Sequence, residues 1–290
     1  MANRFKIGDE LQSLVVELKN NFGRNNWQEI IQTANILLSK AILFIEDQKN
    51  YKNENNYCTK LPRSIVYYVG FAKMAKGTAL EQLGEFDQAI DEIQFYMHLE
   101  HVVSEIIELD SDRNEEEIQY FNTIALPNYY VVQLKRGNFN IINEYLAFLE
   151  QEEEERLPGI SMILEAANKY SYDVDRIIED FKADFDEIEF YDDPVNMGYT
   201  INCKYQLAVY YINRKDIQVG LDYALQSLQL AVKIGNDKGS SSCLFLFENN
   251  RDYATDIQLA TFKSIIKGVQ AYEKEVGNSI SIADSFIWIS

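Results

Sequence analysis

The chain is short of the residues that break helices and of those that carry chemistry. Of its 290 residues, four are proline and thirteen are glycine. An all-β protein of this length reverses direction many times and uses more of both, so the expected fold class is all-α. Three cysteines, Cys58, Cys203 and Cys243, are odd in number and far apart. They fit reduced thiols better than a disulfide framework. No run of about 18 apolar residues is present to cross a membrane. Met1 to Glu10 lacks the apolar core of a signal peptide. The expected location is cytoplasmic, with no membrane partner.

Catalytic signatures are equally scarce. Only two histidines exist, His98 and His101. A spacing of three puts them near one helix face with Glu105 a turn beyond, but no further ligand set follows, so no metal site is expected. Asp110, Asp112 and Asn114 resemble the start of a calcium loop. The pattern then fails, with Glu115 where glycine is needed and Phe121 where glutamate is needed. Neither phosphate-cradling glycine motif occurs, and there is no nucleophile elbow. A Ser-His or Cys-His centre would have to draw on two histidines of one helix. Paired carboxylates mean little among 46 acidic residues. No catalytic residue, cofactor or enzymatic activity is expected.

Acidity dominates what is present. With 27 basic residues against 46 acidic ones the formal charge is −19, and the pI is about 4.5. That mean field repels phosphate backbones, which argues against direct nucleic-acid binding. It suits a cationic peptide or a basic protein patch as partner.

An internal repeat organises the rest. Its best instance runs from Gly77 to Met97. Gly77 and Ala79 are small residues on a first helix. Gly84 supplies a C-cap where positive φ is cheap, Phe86 is an aromatic plug, and Ala89 is the small residue three later. Ile93 and Tyr96 continue a buried face at helical spacing. Leu207 to Leu228 repeats the scheme, with the turn at Lys215-Asp216, Ile217 as plug, and Gly220, Ala224 and Ser227 as a small-residue ladder. Asn128 to Leu149 turns at Arg136-Gly137-Asn138-Phe139. Asn25-Asn26-Trp27 precedes Ile30, Ala34 and Leu37. Met162 to Phe181, with the turn Tyr170-Ser171-Tyr172, is a weaker fifth instance. Small residues belong where paired helices touch. The pattern reads as an all-α, tetratricopeptide-like (TPR-like) right-handed superhelix of antiparallel helix hairpins, with an irregular helical bundle as the competing reading.

Asn50 to Pro62, Glu152 to Gly159, Tyr191 to Pro194 and Gly235 to Ser242 read as connectors, and a helix is expected to begin within Asp110 to Glu117. None is long enough to force a second domain, so residues 1–290 are expected to form one domain with a soft joint near 190–196. Residues 279–290 carry Ile280, Ile282, Phe286, Trp288 and Ile289 and read as a capping tail; an interaction segment or dimer contact is the sharper alternative.

Tyr67-Tyr68-Val69-Gly70, Lys76-Gly77-Thr78-Ala79-Leu80-Glu81-Gln82-Leu83-Gly84 and Ile163-Leu164-Glu165-Ala166-Ala167-Asn168-Lys169-Tyr170 carry a family resemblance. From about residue 20 onward the chain resembles the C-terminal TPR-like domain of Gram-positive Xre-type regulators. That group includes the RNPP-type peptide-sensing quorum regulators. Those proteins place a DNA-binding helix-turn-helix before the repeats. Residues 1–20 are too short to hold one, so DNA binding is not carried over. The resemblance implies a short peptide lying along a concave groove, its backbone held by first-helix side chains, asparagine above all. An amide offers both donor and acceptor to a peptide group. Repeat register carries this role onto Thr78, Gln82, Asn128, Lys135, Asn202, Tyr205 and Asn213. The implied function is a peptide-binding regulatory domain that passes its signal to transcription regulation, with a homodimer compatible. The alternative is a constitutive TPR-like scaffold that docks a partner protein.

Overall fold

The computed structural model describes residues 2–50, 61–101, 111–186 and 194–276. Among the described residues the chain forms thirteen α-helices, two short 3-10 turns and no strand. None of these helices is long and apolar enough to cross a membrane. The chain divides into two compact units, Met1–Ile141 and Ile142–Ser290. The tail expected at 279–290 and most of the joint expected near 190–196 lie outside the described residues, as does Cys58.

The first unit contains α1 (Ala2–Gly23), α2 (Trp27–Asn50), α3 (Ile65–Gln82), α4 (Phe86–Met97), α5 (Ser111–Lys135) and a 3-10 turn at Phe139–Ile141. The second contains α6 (Ile142–Gln151), α7 (Glu153–Tyr170), α8 (Asp175–Asp180), α9 (Lys182–Asp186), α10 (Pro194–Asn213), α11 (Ile217–Lys233), α12 (Asp237–Asn249), a 3-10 turn at Arg251–Tyr253, and α13 (Asp256–Val276).

One turn chemistry recurs. Asn25, Gly84, Gly137, Lys215 and Gly235 all adopt positive φ. In each case the next residue's amide donates to the carbonyl five residues back: Asn26 to Asn21, Glu85 to Leu80, Asn138 to Gln133, Asp216 to Tyr211 and Asn236 to Ala231. The positive-φ residue's own amide bonds the carbonyl three back. This Schellman closure satisfies carbonyls that a helix end leaves open. Two residues beyond the left-handed position the next helix starts, at Trp27, Phe86, Phe139, Ile217 and Asp237.

Small residues then let the paired helices touch. A Cβ on Gly220 of α11 would lie 2.8 Å from the Ala208 carbonyl oxygen of α10 and 2.6 Å from Ile212. Ala224 and Ser227 continue the buried ladder. In the first unit Gly77 rests on α4 near Ala89 and Glu92, and Gly70 leaves room for the Phe121 ring of α5. The first unit's core runs from Leu11 and Leu18 through Tyr68 and Ala79 to Tyr96 and Phe121. In the second, Leu221, Leu225, Leu228, Cys243, Phe247 and Phe262 form a cluster joining α11, α12 and α13.

Contacts define a register. Glu10 pairs with Lys40 and Glu17 accepts from Thr33, so α1 and α2 are antiparallel. Between α3 and α5, Arg63 meets Glu117 and Glu81 meets Lys135, each 54 residues apart. Tyr67 against Phe121 keeps that spacing. Constant spacing means that α3 and α5 run parallel, side by side, with α4 antiparallel to both. In the second unit α7 and α10 are parallel too, through Ser161–Asn202 and Asn168–Gln206, with Val174–Tyr210 just beyond α7 in the same direction.

Three local expectations fail. Pro158 stands inside α7 rather than in a connector, and Pro127 likewise stands inside α5. A proline there removes one helical donor and strains the preceding turn; burial of Phe121, Ala125, Tyr130 and Val132 in one case, and of Gly159, Ile160 and Ile163 in the other, holds the helices continuous. The acidic run Glu153–Glu155 forms the first turn of α7, where negative charge complements the helix dipole. The expected loop at Gly235 to Ser242 is mostly the start of α12. Asn236 caps it by accepting from the Gly239 amide at 2.9 Å.

Substitutions at these turns and crossings have opposite signs. Gly84→Ala and Gly137→Ala are expected to destabilise by about 1 kcal/mol and Lys215→Gly to stabilise by a similar amount. Gly220→Ala is expected to cost about 1–3 kcal/mol through the clash with Ala208. Gly198→Ala in α10, where a Cβ meets nothing within 4 Å, should gain up to about 1 kcal/mol. Urea denaturation of the purified variants measures each change.

Candidate functional site

The seven residues assigned by repeat register fall on three helices. Thr78 and Gln82 are on α3, Asn128 and Lys135 on α5, and Asn202, Tyr205 and Asn213 on α10. Four therefore belong to the first unit and three to the second.

In the first unit, Gln82 is exposed at the last position of α3. Thr78 is half-buried and donates its hydroxyl to the Met74 carbonyl at 3.1 Å. Asn128 reaches α4, where its amide donates to the Tyr96 hydroxyl at 3.0 Å. Lys135 pairs with Glu81 across α3 and α5. Burial holds the Tyr96 phenol well above its ordinary range, against the opposing effect of its bond to Asn128. Thr78, Asn128 and Lys135 thus already have partners within the unit.

The second unit places its polar groups along the seam between α7 and α10. The Asn202 amide donates to the Ser161 hydroxyl at 2.7 Å. One turn further on, Asn168 donates both to the backbone carbonyl and to the side-chain oxygen of Gln206, at 2.9 Å each. The Asn168 carbonyl oxygen is buried and accepts no hydrogen bond. Tyr205 packs, half-buried, against the α11–α12–α13 cluster. Asn213 is exposed at the end of α10. Beyond α7, the Tyr210 hydroxyl bonds Asp175 and accepts from the Val174 amide, and Arg214 pairs with Asp173 at 2.6 Å. These contacts lock the end of α10 to the segment that begins α8.

Asn168, Gln206 and Ser161 were not assigned a role by repeat register. Asn168 lies within the resembling stretch Ile163 to Tyr170, but its partner is set by how α7 and α10 lie together. The spacings 161 to 168 and 202 to 206, two turns and one, are the only signal of a shared seam in the linear sequence.

Nothing in these seams resembles an activated nucleophile. Cys203 is buried, and burial pushes its thiol up to about 12 despite the nearby Lys204. Burial also raises the Cys243 thiol, which donates to the Ser227 hydroxyl at 3.2 Å. A thiol needs a lowered pKa to act as a nucleophile. His98 is exposed, 3.4 Å from Glu100. Among the described residues no group of three or more histidines, cysteines and carboxylates could hold a metal ion.

Compared with protein-family models, curated proteins and solved structures, the chain has no match. Function is therefore argued from the two units themselves.

The raised Cys203 pKa fixes the sign of a pH effect. Above about 9 the unfolded thiol loses its proton while the folded one keeps it up to about 12. The stability associated with this group is complete below 9 and is lost as pH rises through that window. Cys203→Ala should flatten the fall in melting temperature between pH 9 and 11. An equally steep fall in the variant would show that Cys203 is not responsible.

Proposed function

We propose that both units are stretches of TPR-like superhelix, and that the chain is a non-enzymatic regulatory domain binding a short peptide along its first-helix faces. The observation that carries this reading is the side-by-side, parallel placement of alternate helices, α3 with α5 at a constant register and α7 with α10 in the same direction. Stacking of that kind gives a row of first-helix side chains at repeating intervals. In the second unit the row carries Ser161, Asn168, Asn202 and Gln206, with amide groups matched to a peptide backbone. A seam ordered beforehand reduces the ordering cost of binding an extended ligand.

The peptide would exchange its backbone groups for some of the present side-chain bonds. Asn202, held by Ser161, and Asn168, whose buried carbonyl oxygen lacks a donor, are the leading contacts. A partial charge argument favours a cationic ligand, given the formal charge of −19. Transmission to a transcription regulator follows from the resemblance and is part of the proposal, as are the cytoplasmic location and the homodimer.

Thermal unfolding in the presence of secreted short peptides from the source organism tests it. A ligand at a hundred times its Kd stabilises by about 2.7 kcal/mol, enough for a melting shift of several degrees. Asn168→Ala and Asn202→Ala are expected to reduce the shift while preserving helical content. A flat response to all such peptides would favour the scaffold reading, in which a folded partner occupies the seam.

A further inference from the structure

The α3–α4 hairpin contains a charge imbalance that the peptide seam does not use. Glu92 of α4 is 8% exposed. Two lysines one turn apart on α3 converge on it: Lys73 Nζ lies 2.7 Å from one carboxylate oxygen, and Lys76 Nζ 2.7 Å from the other. Gly77 lies directly against the Glu92 Cβ, so the carboxylate is fixed in the seam between the helices. Among the described residues these two pairs are the only ion pairs of Lys73 and Lys76.

Two cations therefore share one anion. Their ammonium groups are bound to opposite oxygens of the same carboxylate, so they repel each other at short range in partly desolvated surroundings. The pairing is also incomplete in geometry. The Glu92 oxygen nearest Lys73 is buried, within ion-pairing distance, and yet has no aligned hydrogen bond. Lys73 in addition lies 4.3 Å from the centre of the Phe95 ring, and that ring is 40% exposed. Both lysine side chains keep a solvent-facing part, 16% and 25%. Two partly exposed ammonium groups sharing one carboxylate beside a partly exposed aromatic ring stand out in a chain this acidic.

We propose that Lys73 and Lys76 form a binding site for a single carboxylate from another polypeptide, in which Glu92 is the built-in anion that the incoming carboxylate competes with for the two ammonium groups. One carboxylate brings the local charge to zero, whereas a phosphate dianion would overshoot it. The Phe95 ring would take the methylene or backbone edge beside that carboxylate. The site is on the α3–α4 seam, so it is separate from the α7–α10 seam and stands whether or not that seam takes a peptide.

Lysine side-chain NMR signals report on the site in the intact chain. The titrants are N-acetylglycine, which mimics a chain terminus, and N-acetylaspartate N-methylamide, which mimics an acidic side chain. N-acetylglycinamide and sodium chloride serve as the uncharged and ionic-strength controls. Saturable shifts confined to Lys73 and Lys76 are expected with one or both carboxylates, and the tighter of the two identifies its source. Lys73→Gln and Lys76→Gln should each abolish saturation while helical content stays unchanged. Glu92→Gln removes the competing anion and, where the fold is retained, should tighten binding roughly fivefold. Linear shifts that match those of sodium chloride would overturn the proposal. So would binding that survives both lysine substitutions, or a folded Glu92→Gln protein that binds more weakly.

Discussion

A single backbone closure governs the architecture. After each first helix one residue turns left-handed, and the following amide reaches back five residues to close the helix end. At five of these turns the next helix starts two residues past the left-handed position, whereas after Ser171 it starts four residues on, at Asp175. The plug residues Trp27, Phe86, Phe139 and Ile217 each stand at the first of these starting positions, two residues on. Side chains at the crossings then decide how near the helices come. Gly220 against Ala208 and Ile212, Gly70 against Phe121 and Gly159 against Leu149 are tight points, and bulk at any of them would force the neighbouring helix to shift.

Much of this geometry is readable in the linear sequence because it depends on local chemistry. Gly84 and Gly137 mark their turns through conformational freedom, and Lys215-Asp216 does so through the apolar plug and small-residue ladder that follow. The prolines mislead for the opposite reason. Pro127 and Pro158 are tolerated inside helices by the burial of distant residues, and a local rule has no view of that. Gly239 reads as a loop residue, but it is the helical position where α12 approaches Ile201. The candidate site is less legible than the fold. Repeat register places Asn128 on α5 and Asn202 on α10, but their partners, Tyr96 and Ser161, lie on α4 and α7 and are set by packing. The Asn168–Gln206 pair and the Lys73–Glu92–Lys76 triad depend equally on lateral packing.

Bonds such as Asn202 to Ser161 and Asn128 to Tyr96 tie neighbouring helices together. In the proposed peptide-binding role the same groups would bond the ligand, and a peptide replacing one of those bonds would compete with helix packing for the same donor. On that reading binding and helix spacing would be linked, since small changes per repeat add along a stack. The thiols of Cys203 and Cys243 are buried in the packing, and burial raises the pKa of each.

The parallel run of alternate helices is the claim on which the repeat reading and the peptide seam both depend. Electron spin–spin distances between paired labels measure it directly, in a protein whose native cysteines are replaced. Labels at Arg63 and Glu116, and at Gln82 and Arg136, mark matching ends of α3 and α5. The account predicts short distances for both of these pairs. The crossed pairs, 63 with 136 and 82 with 116, should be clearly longer, because their labels are offset along the roughly 27 Å length of α3. Short crossed distances with long matched ones would mean antiparallel neighbours and would contradict it.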